Sequence, residues 1–207
     1  TETSGFVKRM IDGGTIALKT PFISSTLILV SLNSFFVRGI LEIQPAIVGQ
    51  IMGGKSYDLA IVTAAAGLGS LLASAWIGLG KLEQSHIQKY LWPMLVTGIV
   101  ATALLYFFVD LTPVSLIFIV TGFTATIVGI GAQTLIQLEV QESYRARVMT
   151  WWSTISFGSL FLGGTMAGFF GDIVGMDHAI VFMMLTAGAL ALFVLPRIKA
   201  LTNTNPV

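Results

Sequence analysis

Two charged side chains interrupt the first long apolar stretch of the chain, and both could do chemistry there. Arg38 and Glu42 lie four residues apart within residues 21–48, so on a helix they share one face and can pair. Glu42 is the only carboxylate inside any long apolar stretch, which makes it the candidate proton carrier by elimination, with Arg38 as the cation that changes its proton affinity. The alternative is that the Arg38 side chain extends to the membrane surface and that Glu42 lies in water there, so that the pair only anchors a helix end.

Three uncharged amides also lie within apolar stretches. Asn33 is near the middle of the first stretch, and Gln133 and Gln137 share one face of the stretch 114–138. An amide in such a position either bonds a neighbouring helix or faces a polar cavity. We expect all three side chains to be candidates for lining a cavity. The alternative is that they hydrogen-bond to neighbouring helices.

A short polar segment after residue 138 concentrates four charges, Glu139, Glu142, Arg145 and Arg147. Opposite charges at one end of a helix bundle can form an ion-pair gate that holds that end shut in one conformational state. The alternative is an ordinary solvated turn. These four residues are therefore candidates for a cytoplasmic gate.

The composition excludes most other classes of function. Charged residues make up 10% of the 207 residues, hydrophobic residues 55%, and the mean hydropathy is +0.87, which is too apolar to cover a water-soluble fold. The net charge of +1 indicates no nucleic-acid partner. The chain has no cysteine, and neither a metal-binding motif nor a Ser, His or Asp constellation lies within an apolar stretch, so we expect no metal, no cofactor and no intramembrane enzyme.

Six apolar stretches are long enough to span a bilayer core of about 30 Å as helices. They cover residues 21–48, 59–79, 91–109, 114–138, 148–170 and 179–195. The fold class that we predict is therefore an all-α membrane protein with six transmembrane helices. The stretches are continuous rather than alternating in polarity, which argues against a β-barrel.

The distribution of lysine and arginine predicts the orientation. Nine of them fall on one side of the predicted spans, and only Lys55 falls on the other. Because positive residues collect on the cytoplasmic side, both termini should be cytoplasmic, in a multi-pass protein of the cell (inner or plasma) membrane. Residues 1–20 read as a cytoplasmic linker or surface-lying amphipathic helix, residues 21–195 as the helix bundle, and residues 196–207 as a cytoplasmic tail.

Small residues indicate where the helices pack and suggest an internal repeat. Gly67 lies on a stripe of small residues in the second span, and Gly164 and Gly168 form a small-xxx-small pair in the fifth. With 22 glycines in the chain, such pairs also arise by chance. GSLLASAWIG in the second span resembles GSLFLGGTMAG in the fifth, which fits two inverted three-helix repeats.

The segment QESYRARVMTWWSTISFGSLFLGGTMAG (residues 141–168) resembles the link between the tenth and eleventh helices of major facilitator superfamily exporters. The branch most similar to it contains the enterobactin-exporter-like and macrolide-efflux-like proteins. Matching positions in and just before the segment are Gln137, Arg145, Arg147, Val148, Met149, Gly158, Gly163 and Gly168, whereas Ala146 replaces the usual glycine. GGTIALKTP and FVRGILEIQPA, at residues 13–21 and 36–46, look like the entrance and outer half of the seventh helix of that family.

The resemblance implies that this chain corresponds to the C-terminal six-helix half of a twelve-helix transporter. Its partners would then be the lipid bilayer, the N-terminal six-helix half and a small amphipathic substrate such as a drug or a siderophore, exported by alternating access with proton coupling. It also implies a weak gating role for Lys81, in the loop after the second span. The alternative is a stand-alone six-helix protein that forms a homodimeric transporter or channel.

Overall fold

The computed structural model of the chain describes residues 13–15, 17–79 and 84–202, with the side chains of 84–86, 88 and 195–202 outside the description. Within the predicted segment 1–20, residues 13–15 and 17–19 are helical, and residues 1–12 and 16 lie outside the described part. The gate candidate Lys81 also lies outside it, as do the side chains of the predicted tail 196–207.

All the secondary structure of the described residues is helical, and six helices are long and apolar enough to cross a membrane. They are α1 (Pro21–Glu42), α2 (Ser56–Gly78), α3 (Gln84–Ala103, with a 3-10 turn Leu104–Phe107), α4 (Leu111–Glu139), α5 (Glu142–Val174) and α6 (Met176–Thr202). This confirms the prediction of an all-helical, multi-pass membrane protein with six spans.

Most helices extend beyond the apolar stretches that predicted them. The helix α5 begins at Glu142 rather than residue 148, because backbone hydrogen bonds continue into the polar turn that precedes the apolar run. The first helix is the exception, since it ends at Glu42 instead of continuing to residue 48. The break lies at Ile43, just before Pro45, and the short helical segments Gln44–Ala46 and Ile47–Ile51 follow it.

The helices α1 and α5 lie side by side and run in the same direction. Gly13, in the helical residues before α1, is next to Arg147 near the start of α5, and Gly39 near the end of α1 is next to Gly163 further along α5. A Cβ added to Gly39 would come within 2.9 Å of the backbone of Gly163, and one added to Gly163 would collide with the carbonyl of Phe35. Glycine is therefore required on both sides of this contact, because the two backbones approach each other directly.

A second contact of the same kind joins α2 and α4. A Cβ on Gly69 would collide with the carbonyl of Ile119, and one on Gly122 would collide with the carbonyl of Ala66. The Ser70 hydroxyl adds an inter-helical hydrogen bond to the carbonyl of Gly122 at 3.4 Å. Two glycine-mediated contacts thus fix the bundle, one between α1 and α5 and one between α2 and α4.

The helix α1 occupies the middle of the bundle. In its most apolar window 72% of the residues are buried within the protein, whereas for α5 the value is 22%. Because α1 is surrounded by other helices, the polar residues that its sequence carries must either bond to those helices or border a space between them.

Candidate functional site

The charged pair of α1 follows directly from an irregular stretch of that helix. Residues Asn33–Arg38 form a π-helix, in which the amide of Gly39 bonds to the carbonyl of Ser34, five residues earlier. Widened turns of this kind are rare and occur frequently at functional sites. The stretch ends at Arg38, and one further helical turn places Glu42 on the same side of α1.

Polar contacts hold the π-helix in place against two neighbouring helices. The amide nitrogen of Asn33 donates to the carbonyl of Ala125 on α4 at 3.3 Å, and the hydroxyls of Ser34 and Ser156 on α5 lie 3.1 Å apart. These bonds satisfy side chains that are almost fully buried. Asn33 is therefore a packing residue in this structure, which was the alternative to its predicted role in lining a cavity.

Arg38 and Glu42 both face a cleft of about 280 Å³ between four helices. The cleft is lined by Arg38, Leu41, Glu42, Ser70, Ala125, Thr126, Gly129, Ile130, Gln133 and Trp152. Three of the residues predicted from the sequence, Arg38, Glu42 and Gln133, thus meet in one place although the third is far from the others in the chain. The amide side chain of Gln133 borders this cleft.

Neither charge of the cleft is paired within the described part of the chain. The one ion pair between described residues joins His178 to Asp177, and Arg38 has no carboxylate oxygen within 4.0 Å. Glu42 is exposed on its side of the cleft, and Arg38 is half-buried. The sequence predicted that the two share a face, which is confirmed, but in this conformation they do not form the ion pair that their spacing permits.

The wall opposite the charges offers hydrogen-bond donors. The hydroxyl of Thr126 and the amide of Gln133 have no hydrogen-bond partner among the described residues, and both lie on the face of α4 that borders the cleft. The indole nitrogen of Trp152 is buried and also has no partner among them. Thr126 and Gln133 are the polar groups that can bond to a molecule in the cleft, and each can donate or accept.

The cleft can hold a polar molecule. It combines one cation, one carboxylate, uncharged polar groups and the apolar side chains of Leu41 and Ile130. Among the described residues, no three His, Asp or Glu side chains gather as a metal site would require. The lining suits the reversible binding of a molecule that has both polar and apolar parts.

The remaining candidates lie elsewhere. Gln137 is half-buried one turn beyond Gln133 and is not among the residues that line the cleft. In the predicted gate, Glu139, Glu142 and Arg145 are exposed, and no ion pair joins any of the gate residues that the structure describes.

Arg147 is half-buried and contacts the ring of Tyr144, with its guanidinium carbon 5.4 Å from the ring centroid. Its guanidinium therefore rests on an aromatic face of its own helix rather than on a carboxylate of the gate.

Of the three glycines that were predicted to lie at helix contacts, one does so within this chain and two do not. Gly164 faces the carbonyl of Gly39 across the contact between α1 and α5, at an ordinary van der Waals distance for an added Cβ. A Cβ on Gly67 or Gly168 would meet nothing within 4 Å, so the structure does not use these two positions for close packing within this chain. Of the three predicted glycines, Gly164 therefore lies at a contact between helices, whereas Gly67 and Gly168 lie at open positions.

Sequence reasoning missed several residues of the cleft. Thr126 and Gln133 are seven residues apart on α4, and Gly129 lies between them with open space where a Cβ would stand. That heptad spacing of polar and small residues is a sequence signal for one polar helix face. No comparable signal marks Trp152, whose place in the cleft depends on how α5 packs.

The comparisons with known proteins give no family assignment for this geometry. No protein-family model matches the chain, and no curated protein matches it.

Proposed function

We propose that the chain is the C-terminal half of a major facilitator superfamily type transporter, which exports a small amphipathic molecule by alternating access. The observation that carries the proposal is the cleft between α1, α2, α4 and α5, where two charges without an ionic partner among the described residues and two polar side chains of α4 border a space inside a bundle of apolar helices. Charged groups within membrane helices are rare, and they commonly mark substrate or ion pathways.

The two glycine contacts support an arrangement of two related three-helix units. The first helix of each unit packs against the middle helix of the other: α1 against α5, and α4 against α2. A pseudo-two-fold axis that exchanges α1–α3 with α4–α6 would exchange these two contacts. This is the pattern of an inverted repeat, which the similarity between residues 69–78 and 158–168 also suggests.

Proton coupling is assigned to Glu42. It is the only carboxylate that lines the cleft, so a proton taken up or released there changes the net charge of the site directly. A change of access that moves Glu42 relative to Arg38 or to water alters its proton affinity, and the proton gradient can drive such a cycle.

A test of this function uses the full-length protein expressed in bacteria that lack their own efflux pumps. Wild-type protein should raise the concentration of at least one amphipathic compound that is needed to inhibit growth. Glu42→Gln should abolish this protection, whereas the matched change Glu139→Gln, at an exposed carboxylate outside the cleft, should preserve it. A protonophore should abolish export into everted vesicles.

Equal protection by Glu42→Gln and wild type would place the coupling carboxylate elsewhere. Robust transport by the 207-residue chain alone would favour the second candidate, a homodimer of six-helix subunits.

The proposed orientation is tested by cysteine labelling, since the native chain has no cysteine. Cysteines at Ser56 and Asp177 should react with an impermeant thiol reagent added outside intact cells. Cysteines at Gln84 and Ser143 should react only after the membrane is opened. Labelling of the residue-84 variant from outside would contradict cytoplasmic termini.

A further inference from the structure

We infer that the cleft binds a small dipolar molecule, one that carries a carboxylate for Arg38 and an ammonium group for Glu42. The inference rests on the proposed function and names the substrate class of the same site. Its basis is the juxtaposition of two opposite charges on consecutive turns of α1, both bordering the cleft and both without an ionic partner among the described residues.

The first step concerns the energy of the two charges. On a helix, residues four apart have Cβ atoms about 5–6 Å from each other, so a contact between Arg38 and Glu42 is within reach. They do not make it in this conformation, and the charge of half-buried Arg38 is costly without a counter-charge. A ligand that bridges the two side chains supplies both counter-charges at once.

The second step excludes ligands with a single charge. A simple anion would pair with Arg38 but leave the Glu42 carboxylate unpaired beside a further negative charge. A simple cation would leave Arg38 unpaired in the same way. A dipolar ligand satisfies both groups and leaves the site neutral, so its binding is favoured over either fragment.

The third step fixes the orientation of the ligand. Thr126 and Gln133 lie on the face of α4 that borders the cleft, and each can donate a hydrogen bond to a carboxylate. Arg38 supplies a planar fork that binds a carboxylate through two parallel hydrogen bonds. The carboxylate therefore lies in the interior of the cleft, and the ammonium group lies at the exposed Glu42.

The fourth step limits the size and body of the ligand. A volume of about 280 Å³ lies at the lower end of small-molecule pockets, which favours a body of about one ring. Leu41, Ile130 and the indole of Trp152 offer apolar contacts for that ring.

Four compounds that share one ring test the inference by binding to the purified full-length protein in detergent. They are 4-(aminomethyl)benzoate (dipolar), 4-methylbenzoate (anion), 4-methylbenzylamine (cation) and p-xylene (neutral). The dipolar compound should bind about tenfold or more tightly than each of the others, which is the discrimination expected from one charge-assisted contact. Equal affinities, or no binding of the dipolar compound to folded protein, would overturn the inference.

Variants separate recognition from folding. Arg38→Gln should remove the advantage of the carboxylate, so that the dipolar compound binds no better than the cation. Glu42→Gln should remove the advantage of the ammonium group. The double reversal Arg38→Glu with Glu42→Arg keeps both charges on the same face and should restore a preference for the dipolar compound, which a merely structural role would not do.

The outcomes distinguish this inference from the proposed function. Preference for the dipolar compound without any transport leaves the site in place and refutes the transporter. Proton-driven export of other compounds without that preference supports the transporter and refutes the dipolar ligand.

Discussion

Charged residues gather in two regions of this protein, the cleft and the turn between α4 and α5. The turn is the denser of the two in sequence, with Glu139, Glu142 and Arg145 within seven residues, yet these side chains are exposed. The cleft contains only Arg38 and Glu42, but groups from three other helices surround them. The number of charged residues within a short segment therefore does not identify the site. The meeting of several helices around a charged pair does.

The physical reason is solvation. An exposed charge in a turn interacts with water, so its neighbours contribute little to its free energy. Half-buried Arg38 in the cleft has less water around it, and each nearby donor or acceptor then has a larger effect. Substitutions in the two regions should consequently differ in size, and the following predictions test this contrast.

The largest effect is expected where the helices that carry the cleft are held together. Gly163→Leu places a side chain against the carbonyl of Phe35, so α1 and α5 must separate, at a cost of at least about 3 kcal/mol in the free energy of unfolding. Thermal unfolding in detergent should show the loss. Gly168→Leu, at an open position of the same helix, is the control and should leave the unfolding temperature nearly unchanged.

A substitution that fills the cleft should come next. Gly129→Phe puts a ring into open space beside Thr126 and Gln133, so ligand binding should fall by about tenfold or more while the fold is retained. The probe is 4-(aminomethyl)benzoate. Gly188→Phe, at an open position of α6 outside the cleft, should bind the probe as wild type does. Unchanged binding by Gly129→Phe would show that the ligand binds elsewhere.

A smaller effect is expected from the hydrogen bond that anchors the π-helix. Asn33→Ala removes the bond to the carbonyl of Ala125 and should lower the free energy of unfolding by about 1 kcal/mol. Thr134→Ala removes a hydroxyl that bonds only within α4, to Ile130, and serves as the control. An equal loss in both variants would show that the inter-helical hydrogen bond contributes no more to the free energy of unfolding than the bond within α4.

The smallest effect is expected in the turn. Glu139→Gln and Arg145→Gln change exposed side chains without an ion-pair partner among the described residues, so the free energy of unfolding should shift by less than about 0.5 kcal/mol. Export should also stay close to wild type. A large loss of export with normal stability would instead support the gate hypothesis for this turn. It would also contradict the expectation that substitutions in the turn have smaller effects than substitutions in the cleft.

The sequence predicted the spans well because the bilayer imposes a simple rule. A segment that crosses the apolar core must be helical and apolar over about 20 residues, and composition along the chain reveals such segments directly. It also located Arg38 and Glu42 on one helix face, since that depends only on local helical geometry. The break at Ile43, just before Pro45, also has a local cause, although the apolar stretch predicted a span that continues to residue 48.

The predictions that differ from the structure, or that the sequence left open, depend on contacts between distant segments of the chain. The spacing of small residues indicated Gly67, Gly164 and Gly168, of which Gly164 lies at the contact between α1 and α5. The positions where an added Cβ would meet the backbone of another helix most closely are 39, 69, 122 and 163. Every helix carries glycines on several faces, and only the packing decides which face meets a partner.

The sequence by itself determined that this protein is a bundle of six apolar helices with one charged pair inside the first of them, because solvation in a bilayer acts on each segment separately. Only the tertiary structure decided that Asn33 is bonded to α4, that Gln133 and Trp152 face Arg38, and that Arg38 is left without a carboxylate partner among the described residues. These outcomes depend on how closely α1 approaches α4 and α5, which the glycine contacts between backbones fix.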